Sequence, residues 1–222
     1  MLALLILSIP PLIAGPVSGD LQWKLIAATP RIVSTQGVRS IGTAVCIGVQ
    51  NQTAYLLTAE HVVRGGAGFQ LEFFTRQSYP KVAFRLEDAR VVKSYRVPDL
   101  ALIAVPVGKH DVPSYPLSGP GQRPKQFPFA GLSIGNNAER FSLRSETIIA
   151  KQLVRSRDDV AFYWEMEKAS DRGRSGGPLV DAQGRLIGII TATQQGKSYA
   201  LHLDEILVTL KREQHAWLYE KK

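Results

Sequence analysis

Short apolar runs separated by turn residues recur along most of this chain, and they constrain its fold more than any other feature. Residues 38–49 and 53–58 are two such runs around the turn residues Gln50, Asn51 and Gln52, a pattern that predicts a β-hairpin. The other runs cover residues 69–75, 81–86, 89–94, 100–105, 130–134, 146–153, 160–166 and 198–203. Because they recur at short intervals, the runs favour an all-β sandwich or barrel over alternating strands and helices.

The strand pattern is interrupted in the middle of the chain and replaced at its end. Prolines are concentrated in residues 106–128, which predicts a connection between two halves. From Leu203 onward, apolar residues fall at helical spacing, with Asp204 available as an N-cap. The sequence therefore predicts two β regions, a proline-rich linker and a C-terminal helix.

Residues 1–19 resemble a short secretory signal. They carry no charged side chain, contain an apolar run that Pro10 and Pro11 end, and finish with small residues at 17–19. We therefore expect export, to the periplasm or as a secreted protein; an uncleaved membrane anchor and a misassigned start codon are the alternatives.

The single cysteine, Cys46, excludes an internal disulfide, and export without disulfides is typical of a bacterial envelope or secreted protein.

Net charge and motif content limit the classes of function. The formal net charge is +8, but Lys and Arg are scattered, which favours a solvated basic surface over a dedicated anion site. Basic and aromatic residues are not interleaved as in nucleic-acid binders, and no specific membrane partner is predicted. No His or Cys cluster has metal-ligand spacing and no nucleotide-binding glycine motif occurs, so we expect neither a metal nor a cofactor.

Three polar residues stand in contexts that suit catalysis. Ser175 lies in the hexapeptide GRSGGP, but a serine is a weak nucleophile without a base beside it, and glycine-rich turns are common in β proteins. His61 directly follows a predicted strand. Asp99 precedes the apolar run at 100–105, either as a water-exposed strand start or as the partner of a buried group. The glycines in this hexapeptide suit acyl transfer, because they permit the amides of Gly173 and Ser175 to point at one oxyanion.

The segments TAEHVV, DLALI and GRSGGPLV occur in this order and resemble the trypsin-like (chymotrypsin-fold) serine peptidases. The resemblance is to compact, disulfide-free bacterial members of the high-temperature-requirement kind, and it covers most of residues 38–210. It implies two packed antiparallel six-stranded β-barrels with a C-terminal helix. The implied boundaries are an N-terminal barrel at 25–108, a linker at 109–128, a C-terminal barrel at 129–203 and a helix at 204–219.

The resemblance also implies roles for the three polar residues. Ser175 would be the nucleophile, His61 the general base and Asp99 the group that orients His61, while the amides of Gly173 and Ser175 would form the oxyanion hole. The chain would then be a serine endopeptidase acting on protein or peptide substrates through an acyl-enzyme intermediate. The alternative is a catalytically silent binding or scaffold protein with the same fold. The sequence leaves the natural substrate and the oligomeric state open.

Residues near Ser175 in the sequence predict the substrate preference, and one of them departs from the pattern of the family. Ala169 stands where relatives that cut after Lys or Arg carry an acid, so we expect a small or medium apolar residue at the P1 position of the substrate. The segment Ile190, Thr191, Ala192 and Thr193 is expected to offer backbone groups to an extended substrate. Arg174 replaces the Asp or Asn of relatives, and we expect its side chain to project towards the rim of the cleft.

Overall fold

The structure is a computed structural model that describes residues 19–35, 41–64, 68–117, 124–136, 141–156 and 159–219. Residues 1–18, which hold nearly all of the predicted leader, lie outside the described residues, and so do residues 118–123 of the predicted linker. No helix in the described part of the chain is long and apolar enough to cross a membrane.

The N-terminal half contains two four-stranded antiparallel sheets. The strands are β1 (Arg31–Ser34), β2 (Ile41–Thr43), β3 (Val45–Gln50), β4 (Thr53–Thr58), β5 (Phe69–Phe73), β6 (Phe84–Leu86), β7 (Arg90–Tyr95) and β8 (Leu100–Pro106). One sheet has the order β2-β1-β5-β6 and the other has the order β3-β4-β8-β7. Only Ala44 separates β2 from β3, so one extended stretch of chain passes directly from the first sheet into the second.

The C-terminal half is a closed six-stranded barrel with the order β10-β11-β14-β13-β12-β9. Its strands are β9 (Phe129–Asn136), β10 (Phe141–Ser156), β11 (Asp159–Met166), β12 (Pro178–Val180), β13 (Leu186–Gln194) and β14 (Lys197–His202). Together the two halves form the double-barrel fold of the trypsin type. The predicted all-β class is confirmed.

Strand β8 explains why the two halves pack together. All of its residues from Leu100 to Val105 are buried, because its two faces contact different cores. Ala101, Ile103 and Val105 belong to a core inside the N-terminal half. Leu100 and Leu102 belong to a core that also contains residues of the C-terminal barrel, such as Leu132, Ile134 and Leu201. Each fully buried Leu or Ile contributes about 1.5–3 kcal/mol, so this shared core holds the halves together.

Three α-helices accompany the strands in the described chain: α1 (Gly19–Ala27), α2 (Glu60–Val63) and α3 (Leu203–Arg212), followed by a 3-10 turn at Ala216–Leu218. The C-terminal helix is shorter than the predicted 204–219, because Gln214 adopts a left-handed conformation (φ 62°) that ends the helical path. Its N-cap is His202, whose Nδ1 accepts the Asp204 amide at 3.0 Å, so Asp204 lies in the first turn instead of capping it.

Candidate active site

His61 lies on the one-turn helix α2, immediately after β4. The end of β4 is rigidly placed, since Leu56, Leu57, Thr58 and Ala59 are all fully buried. The His61 side chain is 38% exposed and so reaches the cleft. Two of the four residues of α2, Glu60 and Val63, are buried, so the helix and the strand before it hold His61 in place.

Asp99 approaches His61 from the turn before β8. Its left-handed backbone (φ 64°) is tolerated by aspartate, and its amide donates to the Arg96 carbonyl at 3.1 Å. One carboxylate oxygen accepts the His61 amide at 3.0 Å, and the other lies 2.8 Å from His61 Nδ1. This double contact fixes both the ring orientation and the tautomer that leaves Nε2 free to accept a proton.

The same contact raises the pKa of His61 above its ordinary 6.5, because the Asp99 carboxylate bonds to the ring and attracts its protonated form; partial burial acts in the opposite direction. The second barrel supports this turn, since the Tyr163 hydroxyl donates to the Pro98 carbonyl at 3.0 Å. Burial raises the pKa of Tyr163 to about 12, so it remains a donor at neutral pH.

Ser175 stands on a tight turn of the second barrel that is tied to the first. Its carbonyl accepts the Thr43 amide at 3.0 Å. The next residue, Gly176, has a φ of +83°, and a Cβ there would lie 2.1 Å from both the Thr43 carbonyl oxygen and Thr58 Oγ1. The turn therefore packs directly against the end of β4 that leads to His61, and only glycine fits at this contact.

Hydrogen bonds around the turn direct the amides that were predicted as an oxyanion hole. The Arg174 carbonyl accepts the Gly177 amide at 2.8 Å, which turns the Ser175 N–H of the same peptide unit to the opposite side. Thr43 Oγ1 donates to the Gly173 carbonyl at 2.6 Å and accepts the Asn136 amide at 2.9 Å. Among the described residues, neither the Gly173 nor the Ser175 amide has a protein acceptor, so both are available to a ligand.

The Ser175 hydroxyl makes no hydrogen bond to any described residue. The His61–Asp99 half of the constellation is thus assembled, while the serine–histidine hydrogen bond is not formed in this arrangement. Catalytic hydrogen bonds are often long without substrate and tighten when it binds.

The prediction that Arg174 projects towards the rim of the cleft is wrong. Its side chain is 3% exposed and turns into the second barrel. Nη1 donates to the carbonyl and hydroxyl oxygens of Ser133 at 3.0 and 2.9 Å, and Nη2 donates to Ser142 Oγ at 2.8 Å. The physical reason is space: a Cβ at Gly135 would lie 2.4 Å from Arg174 Cγ, so that glycine leaves the groove that the arginine fills.

The residues predicted to bind substrate fall into two groups. Both backbone groups of Ile190 are already bonded, to the Gly177 carbonyl and the Gly176 amide at 2.8 Å each, so Ile190 supports the turn. Beyond it, Thr191 to Thr193 continue along β13 where β12 has ended, which leaves a strand edge open for pairing. The Ala169 carbonyl accepts Arg144 Nη1 at 2.9 Å, which places a cation next to the predicted pocket floor.

A pocket of about 260 Å³ opens beside this edge and reaches Asp99. Its walls are Asp99, Gln152, Val154, Tyr163, Thr191, Ala192, Gln194 and Tyr199. The pocket therefore lies where the two halves of the molecule meet, next to the histidine–aspartate pair.

No sequence pattern marks Thr43, or Glu146, a buried carboxylate on β10 near Arg174, as a functional residue. Thr43 sits in an ordinary strand segment, and its contacts with Gly173 and Ser175 join residues more than a hundred positions apart. No local pattern signals such long-range contacts.

A double β-barrel with a His–Asp pair on one half and a serine in a glycine-rich turn of the other is the arrangement of the trypsin-like serine endopeptidases. The chain matches the family model of the trypsin-like peptidase domain over residues 42–189, which is more than half of its length, and it belongs to that family. A comparison of the sequence with curated proteins finds no match.

Several solved structures are similar to most of this chain. The active form of the Rv3671c protease from M. tuberculosis has a TM-score of 0.71 and 17% identity, with 88% of this chain and 84% of that chain covered. The inactive form of Rv3671c has a TM-score of 0.69 and 19% identity, covering 92% of this chain and 98% of that one. The HtrA-type protease AlgW with a decapeptide has a TM-score of 0.68 and 22% identity, covering 89% of this chain and 67% of that one. At these identities the likeness shows the fold.

Proposed function

We propose that this peptidase cleaves protein or peptide substrates through a His61–Asp99–Ser175 triad and an acyl-enzyme intermediate. Ser175 Oγ attacks the scissile carbonyl carbon while His61 Nε2 takes the hydroxyl proton, and His61 then returns that proton to the leaving amine. A water molecule, deprotonated by His61, then attacks the carbonyl carbon of the acyl-enzyme. His61 returns the proton to Ser175 Oγ as the acid product is released. The observation that carries the proposal is the double contact between Asp99 and His61, which leaves Nε2 as the proton acceptor.

The amides of Gly173 and Ser175 are proposed to bind the oxygen that becomes negative in the tetrahedral intermediate. Their lack of a protein acceptor in the described structure supports this role. Removing one such donor costs about 2.7–4 kcal/mol of transition-state stabilisation in acyl-transfer enzymes, so the conformation of this turn decides the rate.

A fluorophosphonate probe tests the triad, because it phosphonylates only an activated serine. We expect the wild-type chain to be labelled and Ser175→Ala to remain unlabelled, with His61→Ala strongly reduced. Labelling of Ser175→Ala equal to wild type would refute Ser175 as the nucleophile, and no labelling of either protein would support the silent scaffold.

We further propose that the P1 pocket takes a small or medium apolar side chain. The alanine at position 169 supplies no acid to pair with a Lys or Arg in that pocket, and the nearest charged group bonded to it, Arg144, is a cation already paired with Glu146. Cleavage of a peptide library, read by mass spectrometry, should be dominated by apolar P1 residues; dominant cleavage after Lys or Arg would overturn the assignment.

Export through cleavage of the leader also remains a proposal. It is supported by the uncharged apolar run and the small residues at 17–19. N-terminal sequencing of the mature protein should find a new terminus near Gly19, whereas an intact Met1 would favour the uncleaved anchor.

A further inference from the structure

The carboxylate of Glu146 on β10 lies beneath the loop that leads to Ser175. Its side chain is 1% exposed. It accepts Arg144 Nε at 2.8 Å and Nη2 at 3.1 Å, and it also accepts a hydrogen bond from Ser133 Oγ. A charge this deeply buried is costly unless it is paired and hydrogen-bonded, so its position reflects a specific set of contacts.

Two arms run from this carboxylate to the two ends of loop 169–174. In the first arm, Arg144 is bonded to Glu146 and its Nη1 donates to the Ala169 carbonyl at 2.9 Å. In the second arm, Ser133 Oγ donates to Glu146 and accepts Arg174 Nη1 at 2.9 Å. One buried negative charge therefore connects the start of the loop, at the predicted pocket floor, with its end, next to the proposed nucleophile.

The strand pair β9–β10 carries the side chains on which loop 169–174 rests, and we call their common face the platform. Ser142, Arg144 and Glu146 alternate along β10 and therefore share one face; across the ladder they pair with Gly135, Ser133 and Gly131 of β9, respectively. Arg174 bonds to Ser133 and Ser142 of these two strands and, at 3.4 Å, to Asp171 of its own loop. The platform belongs to the barrel wall, while loop 169–174 above it contains no strand or helix.

Charge, and not only shape, keeps the arms in place. Arg144 and Arg174 both reach into the same buried region, and they repel each other. Burial, and after it the neighbouring Arg144, lowers the pKa of the Arg174 guanidinium, while Glu146 acts in the opposite direction. Without Glu146, the only carboxylate that contacts both cations among the described residues would be Asp171 of the loop itself, which is 68% exposed and lies 3.5 Å from Arg144 and 3.4 Å from Arg174.

We propose that Glu146 is a positioning residue for the oxyanion hole: its charge anchors both ends of loop 169–174 and so keeps the Gly173 and Ser175 amides directed at the substrate carbonyl. This inference rests on the proposed function. It assigns a role to Arg174 as the end of one arm and explains why an arginine precedes the serine in this chain.

Glu146→Gln tests the proposal, since it keeps the shape of the side chain and removes its charge. We expect the fluorophosphonate labelling rate to fall by about 100-fold at a temperature where the variant is folded, because a misplacement of about 1 Å costs that much in rate. In peptide hydrolysis, kcat should fall and KM should change little. Arg174→Lys, which retains the charge, should recover part of the loss seen in Arg174→Met.

Glu72→Gln is the matched control. Like Glu146, Glu72 on β5 is a buried carboxylate; it is bonded by Arg31 and Arg85, and its hydrogen bonds do not involve loop 169–174. It should lose thermal stability as Glu146→Gln does but label at close to the wild-type rate. If the two variants lose labelling in step, or if Glu146→Gln labels like wild type, the proposal is wrong.

Amide hydrogen exchange separates failure of this inference from failure of the proposed function. Exchange in peptides covering 169–176 should accelerate in Glu146→Gln and not in Glu72→Gln, whether or not the wild type is labelled. If Glu146→Gln does not fold, Arg174→Met removes the arm at the serine end of the loop, leaves the Arg144–Glu146 pair intact and should produce the same local acceleration. Unchanged exchange in this segment would refute the anchoring role even in an active enzyme.

Discussion

At the scale of single residues, the chemistry depends on how Asp99 changes His61. The contact of Asp99 with Nδ1 raises the pKa of His61 above 6.5, and His61 must be neutral to accept the serine proton. Activity should therefore be absent at low pH and appear as the pH rises through this raised pKa. For stability the sign is opposite: the stabilisation by protonated His61 is complete below its unfolded pKa and is lost as the pH rises through its folded pKa.

The raised pKa of His61 should be visible in the pH dependence of activity. The acidic limb of kcat/KM should have an apparent pKa above 6.5 in the wild type. Asp99→Asn removes the main cause of the shift, so the limb should move to lower pH and kcat should fall by about 10⁴-fold, as the tautomer is no longer held. The profile is measured by hydrolysis of one peptide substrate across pH, and a wild-type limb at or below pH 6.5 would contradict the interpretation.

The second residue-scale prediction concerns Gly176. Gly176→Ala should abolish labelling of Ser175, because the new Cβ would collide with the Thr43 carbonyl and Thr58 Oγ1 and force the turn away from β4. Gly196→Ala is the control, since Gly196 has a similar φ of +76° and a Cβ there would meet no atom within 4 Å. Both variants carry about 1–2 kcal/mol of left-handed strain, but only the first should lose activity.

At the scale of elements, the sequence predicted the strands that a local pattern of apolar residues specifies. The run at 53–58 matches β4, and the run at 100–105 matches all but the last residue of β8, because alternating or continuous apolar residues specify strands directly. It did not predict the direction of Arg174, because that depends on the face formed by Ser133 and Ser142 more than thirty positions away. The early end of α3 was missed because the apolar stripe continues through Trp217 and Leu218 although the backbone turns at Gln214.

Helix α3 supports an element-scale prediction about stability. Ile206→Ala should lower the free energy of unfolding by about 2–5 kcal/mol, because Ile206 is 1% exposed and packs in the core shared with the C-terminal barrel. Val208→Ala, on the same helix, should change it by less than about 0.5 kcal/mol, since Val208 is 62% exposed. Urea unfolding of both variants measures the difference, and equal losses would show that α3 is not docked as described.

At the scale of the whole molecule, the proposed site exists only where the two halves meet. His61 and Asp99 come from the N-terminal half, while Ser175 and its turn come from the C-terminal barrel. Thr43 is the residue that connects them most closely. It donates through its amide to Ser175 and through its hydroxyl to Gly173, and its carbonyl accepts Thr58 Oγ1 at 2.8 Å. Docking of the halves and order in the oxyanion turn are thus coupled through one residue.

Thr43→Val separates docking of the halves from order in the oxyanion turn, because valine keeps the shape of threonine and lacks the hydroxyl. The Gly173 carbonyl loses its donor and the buried Asn136 amide loses its acceptor, which should cost about 1–3 kcal/mol of stability. The labelling rate of Ser175 should fall by at least about ten-fold, as the freed turn no longer holds its amides in one direction. Thr43→Ser retains the hydroxyl and should label at nearly the wild-type rate despite the lost methyl group. If Thr43→Ser loses as much labelling as Thr43→Val, packing at the junction of the halves, and not the hydroxyl, determines the order of the turn.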